Sequence, residues 1–158
     1  MFKEDCIFCL IAQKKAPSHT IYEDEKHIAF LSIFPNTPGF TVVATKEHFP
    51  SYAFENSDEV LAGLVLATKK VAQMLDKAFA DVGRTGMFFE GFGVDHLHSK
   101  LFPMHGTANM AEWKPIESGK KQFFHQYPGF LSSHEAGRAD DAELVALAKK
   151  IRDANKNS

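Results

Sequence analysis

Val94-Asp95-His96-Leu97-His98-Ser99-Lys100-Leu101-Phe102-Pro103 is the stretch whose reading decides the fold. Its apolar and branched residues predict a strand from Val94 to Phe102, closed by Pro103. Successive strand side chains point to opposite faces, so His96, His98 and Lys100 share one face while Leu97, Ser99 and Leu101 take the other. Three nitrogen-bearing groups then stand about 6.6 Å apart, two strand rises each. Just upstream, Gly86, Gly91 and Gly93 offer backbone N–H groups with no Cβ in the way, which suits close approach to phosphate oxygens. The combination reads as a phosphate-handling site.

Outward from it, Thr85 to Glu90 predicts a preceding strand, connected through Gly91-Phe92-Gly93. Before that strand, Ser57 is an N-cap candidate with Asp58 and Glu59 at the positive end of the helix dipole. Val60, Leu61, Leu64, Val65, Thr68, Val71, Ala72, Leu75 and Phe79 recur at steps of three and four, which predicts a helix to about Asp81 packed on one face of the sheet. Gly83 is its stop signal. Thr20 to Glu23 and His27 to Ile33 read as a hairpin around Asp24-Glu25-Lys26, and Phe40 to Ala44 as a further strand after the Phe34 to Gly39 loop. Asp5 is the candidate cap of a short helix through Lys14, with Cys6 and Cys9 on one face of it. Ala139 to Asn155 predicts a last helix, acidic early and basic late. Between them, His105 to Ser133 carries aromatics (Trp113, Phe123, Phe124, Tyr127, Phe130) without a period, and these are expected to cover apolar surface.

The chain has 158 residues, 44% of them hydrophobic, which suits one domain with a real core. A net charge of -2 supplies no broad basic field, so a duplex nucleic-acid partner is not expected, whereas small phosphorylated ligands need only a local patch. Met1 to Asp5 is charged and precedes no long apolar run, so neither a signal peptide nor a membrane span is expected, and the protein is expected to be cytoplasmic. Cys6 and Cys9 are its two cysteines. In a reducing compartment the pair points to metal binding, thiol redox chemistry or no special role. The five residues before Cys6 are too few for the core strand that precedes a thioredoxin-type pair, which favours metal.

His96-Leu97-His98-Ser99-Lys100-Leu101-Phe102-Pro103 resembles the His-x-His-x-His-x-x(-Pro) signature of the histidine triad (HIT) family of nucleotide hydrolases and transferases. Agreement extends to Cys6-Ile7-Phe8-Cys9, Tyr22-Glu23-Asp24, Ala29-Phe30-Leu31-Ser32-Ile33, Pro38-Gly39-Phe40-Thr41-Val42-Val43 and Lys46-Glu47-His48. The resemblance implies an α+β fold, a mostly antiparallel sheet with a long helix on one face. It divides the chain into a HIT-like domain over 1–106 and a C-terminal helical extension over 107–158 packed on it. It further implies a structural zinc held by Cys6, Cys9, His48 and His96, a homodimer, and a small-molecule nucleotide substrate. His98 occupies the middle position, whose imidazole attacks the α-phosphate. The implied activity is hydrolysis or transfer of a nucleoside monophosphate group, from a dinucleoside polyphosphate or nucleoside phosphoramidate, through a nucleotidyl-histidine. Cationic neighbours are expected to lower the pKa of His98.

Four departures from the family pattern are legible. Lys100 replaces the third histidine and is expected to neutralise non-bridging phosphate oxygens, since it has donors but no acceptor. Ser32 stands where Asp or Asn often holds ribose hydroxyls, and it retains a weaker capacity to do so. Gly91-Phe92-Gly93-Val94-Asp95 replaces a Gly-Gln-Ser-like segment, leaving backbone N–H groups at Gly91 and Gly93, Lys100 or His105 to assist at phosphate. Phe40 replaces a histidine and is expected to serve packing. Two other classes compete with the enzyme: a nucleotide-binding signalling or scaffold protein of the same fold, and a zinc-dependent protein–protein module.

Overall fold

The computed structural model describes residues 2–109, 113, 126 and 138–156. Five strands, β1 (Thr20–Glu23), β2 (His27–Leu31), β3 (Thr41–Thr45), β4 (Thr85–Phe88) and β5 (His98–Pro103), form one sheet in the order β1-β2-β3-β5-β4. Every neighbouring pair is antiparallel. With α1 (Ile7–Ala12), α2 (Asp58–Ala78) and α3 (Asp141–Asp153), the class is α+β.

The β1–β2 turn forms because the Asp24 carboxylate accepts from the backbone N–H groups of Lys26 and His27, at 2.8 and 2.7 Å. The same side chain accepts the Tyr22 hydroxyl at 2.8 Å. Burial, and then this bond to a carboxylate, push the Tyr22 phenol up to about 12. Its folded value lies above the ordinary value of 10, so the stabilisation it gives is complete below pH 10 and is lost as pH rises through 12. An ultraviolet titration of the folded protein is expected to show one of its three tyrosines ionising in that window. Tyr22→Phe is expected to remove that late step.

Alternation then sorts the sheet into two faces. Ala29, Leu31, Val43, Leu97 and Leu101 pack with Leu64, Val71 and Leu75 of α2 and with Leu144, Ala148 and Ile151 of α3. Ser57 caps α2 by accepting from the Val60 N–H, and Thr68 and Ser99 hydrogen-bond to each other at 2.7 Å across the helix–sheet contact. The opposite face, Ile28, Phe30, Val42 and Ala44, is covered by Cys6, Phe8, Cys9 and Ile11. Each fully buried leucine of the first cluster contributes about 1.5–3 kcal/mol by leaving water, and among the described residues the second face is covered by the smaller cluster that α1 supplies.

Several boundaries differ from the sequence reading. The last strand begins at His98 rather than Val94, because residues 93–96 bend: Gly93 has φ +91° and the His96 N–H turns back to the Val94 carbonyl at 2.8 Å. His96 therefore lies outside the strand whose face it was expected to share. The strand predicted to reach Glu90 ends at Phe88. Asp5 does not cap α1. Its N-cap is Cys6, with no side-chain cap bond, and it stops at Ala12, before Lys14 takes a left-handed φ of 60°. The long helix ends at Ala78 rather than near Asp81, because Phe79 turns to extended backbone and buries its ring; Gly83 lies beyond that end and packs on the Thr107 carbonyl. Val65 is 36% exposed, off the buried stripe. Trp113, expected to cover apolar surface, is 77% exposed, while Phe123, Phe124, Tyr127 and Phe130 lie outside the described residues. No helix among the described residues is long and apolar enough to cross a membrane.

Gly39 shows why glycine must follow Pro38. Its φ is +82°, and a Cβ there would lie 2.7 Å from the Phe79 ring. Gly39→Ala is expected to destabilise by about 1–3 kcal/mol, from left-handed strain plus the clash. A urea titration checks this, and an unchanged midpoint would show that Phe79 yields freely.

Candidate functional site

The bend at residues 93–96 has a chemical result: it drops the His96 ring beneath α1. Its Nδ1 lies 3.3 Å from Cys6 Sγ and 3.6 Å from Cys9 Sγ, and His48 Nδ1 lies 3.5 Å from Cys9 Sγ. One donor atom from each of Cys6, Cys9, His48 and His96 falls within 4.8 Å of all the others. Cys9 and His96 are fully buried, Cys6 nearly so and His48 partly. The His96 Nε2–H donates to the Thr45 carbonyl at 2.7 Å, which fixes the tautomer and leaves the Nδ1 lone pair facing the thiols. Burial pulls His96 down to about 4, so the ring is neutral at pH 7. Burial lowers His48 as well and raises the Cys9 thiol. Two thiols and two neutral imidazoles converging from four points of the chain are a donor set suited to a tetrahedral divalent ion.

His98, next on the β5 face, pairs across the ladder with Ala44, and Lys100 pairs with Val42. The expected sharing of a face by His98 and Lys100, against Ser99 and Leu101, is therefore as predicted. His98 Nδ1–H donates to the His96 carbonyl at 2.6 Å, which leaves Nε2 as the unprotonated, nucleophilic nitrogen. The residue is 3% exposed, and Phe8 of α1 rests edge-on against it at 5.2 Å. Its pKa is lowered, as expected, but chiefly by burial; Lys100 adds to the shift and Glu90 opposes it.

Glu90 is the residue that sequence reasoning missed. Lys100 Nζ meets Glu90 Oε2 at 2.5 Å, with side chains 14% and 10% exposed. The ammonium expected to await phosphate is thus already in an ion pair. The available signal was an acid and a base flanking one strand connection: Phe88 pairs with Lys100, so Glu90 falls diagonally across from it.

The remaining candidates have other neighbours. Gly91, at φ +72°, packs on Ser51, whose hydroxyl donates to the Gly91 carbonyl at 2.9 Å. Gly93 lines a cavity of about 300 Å³ with Cys6, His48 and Asp95, beside the thiols. Ser32 Oγ accepts from the Phe34 N–H at 3.1 Å and borders a cavity of about 310 Å³ between the β2–β3 loop and α3. His105 bonds the Asp81 carboxylate and the Pro38 carbonyl. Phe40 stacks on Phe102 at 4.5 Å, in the packing role expected of it.

Compared with known proteins, residues 13–107 match the model of the HIT domain. The chain belongs to the HIT domain family. Protein hit of Bacillus subtilis is 33% identical over 117 residues, which cover 70% of this chain and 80% of that protein. The adenosine 5'-monophosphoramidase of Schizosaccharomyces pombe is 32% identical over 98 residues, 62% of this chain and 73% of that one. A zinc-bound histidine triad family protein from Mycobacterium smegmatis has the same fold, with a TM-score of 0.67 at 22% identity over 95% of this chain and 92% of that one. The matched range contains His96, His98 and Lys100, on a fold that this structure shares with that protein.

Proposed function

We propose that the protein transfers a nucleoside monophosphate group through His98, from a dinucleoside polyphosphate or a nucleoside phosphoramidate, to water or another acceptor. The observation that carries this reading is the Nδ1–H bond of His98 to the His96 carbonyl, which leaves Nε2 of a neutral imidazole unprotonated to act as nucleophile. In the first step Nε2 forms a bond to the α-phosphorus while the bond from phosphorus to the leaving group breaks, and the leaving group takes up a proton from solvent, which regains one from the attacking water in the second step. In the second, water attacks the same phosphorus, the P–N bond breaks, and nucleoside monophosphate departs with the imidazole restored. Phe8 packs edge-on against the His98 ring at 5.2 Å. Support also comes from the phosphoramidase among the relatives.

The Cys6, Cys9, His48 and His96 donor set fits zinc in a structural role, holding α1 against the sheet. We place the protein in the cytoplasm as a homodimer, for which exposed Phe54, Leu66 and Phe92 offer apolar surface. A second reading, nucleotide binding with little turnover, is favoured by the Lys100–Glu90 pair standing where a third histidine would. Incubation with diadenosine polyphosphates and with adenosine phosphoramidate, followed by chromatography, separates the two. AMP release identifies the leaving group. Thermal stabilisation by these compounds without release would leave only the binding reading.

A further inference from the structure

Glu90, paired with Lys100 on the His98 face, is the charged residue to which nucleotidyl transfer assigns no role. A buried carboxylate beside a buried ammonium is expensive to desolvate, and replacing both with apolar groups is often neutral for stability. Stability therefore does not explain the pair, which leaves its electrostatic effect on whatever approaches His98. A lone ammonium at Lys100 would favour each added negative charge on a phosphate. With Glu90 at 2.5 Å the two charges cancel at longer range. The carboxylate takes one N–H of an ammonium that carries three donors, so the pairing does not by itself use up its hydrogen-bonding capacity. The third position thus keeps its donors and loses its net charge.

We propose that Glu90 is a specificity-determining residue, which neutralises Lys100 and so fits the site to singly charged phosphodiesters or phosphoramidates rather than to doubly charged terminal phosphates. This rests on the reading that the reacting phosphorus sits beside His98. Such a bias has a functional use. A nucleoside monophosphate product carries a second charge above its pKa of about 6, and a neutral third position does not hold it as a lone lysine would.

Calorimetric binding of AMP and of its 5'-methyl diester at one fixed pH near 8 tests this without turnover. Wild type is expected to bind the two within about threefold, and Glu90→Gln to favour AMP by about tenfold or more. Lys100→Met, which leaves the carboxylate, is expected to move the ratio toward the diester. The double variant E90Q/K100M is expected to return it to the wild-type range, a restoration that a merely structural role does not predict. It also supplies a readout if a single variant fails to fold, since it buries no lone charge. If both ligands bind and the ratio is the same in all proteins that fold, the assignment to Glu90 is overturned while the nucleotide reading stands. If wild type binds neither, both fall together.

Discussion

His98→Ala is expected to lower nucleoside monophosphate release by about a thousandfold or more, which corresponds to at least about 4 kcal/mol of lost transition-state stabilisation. The size follows from what is removed. On the proposed reading the imidazole forms the bond to phosphorus, and among the described residues of that face its neighbour two residues on, Lys100, is held by Glu90. Removing a side chain that is 3% exposed also leaves a cavity, so activity must be compared at a temperature where the variant is folded. His98→Gly supplies the sharper control: the same hole should admit free imidazole, and recovery of part of the release with added imidazole would identify the lost group as the nucleophile. Undiminished release by His98→Ala in a folded protein would move the chemistry away from β5 altogether.

How much of this site could be read from residues alone depended on how far each feature depends on local geometry. The β5 alternation was legible because a two-residue period fixes faces once a strand is granted, and Leu97, Ser99 and Leu101 do face α2. The α2 cap at Ser57 was legible because one hydroxyl meets one orphan N–H. The coming together of Cys6, Cys9, His48 and His96 was not derivable from spacing beyond the first two, since the others arrive through β3–β5 pairing; the family resemblance supplied them. The bend at His96 escaped notice because the period of a strand and a bend in the chain look alike in four residues, until Gly93 is given its positive φ. Glu90 escaped because the pattern rules weigh apolar spacing, and a charge diagonal across a hairpin carries none. The local bond that Ser32 Oγ accepts from the Phe34 N–H is not legible from composition either, and it leaves the hydroxyl's own O–H for another partner.

Metal content is expected to be about one zinc per chain by elemental analysis, and Cys9→Ser is expected to lose it along with about 3 kcal/mol or more of stability, some 10 °C in melting temperature. The dependence is large because α1 has little else to hold it. It spans six residues with no side-chain bond at its N-cap, far short of the length at which a helix persists alone. Its attachment is the burial of Phe8, Cys9 and Ile11 on the Ile28, Phe30 and Val42 face, and the donor cluster ties that patch to His48 and His96. Chelation of the wild-type protein should reproduce the loss, and Cys9→Ser should then be insensitive to chelator. Because Phe8 lies on α1 against His98, the same loss should loosen the cover over the nucleophile. Faster hydrogen exchange at residues 7–12 in the chelated protein, with α2 protection kept, would read this directly. Purified protein free of metal, with both thiols reduced and an unchanged melting temperature on adding zinc, would mean that burial alone holds α1 and that the four donors are a packing arrangement.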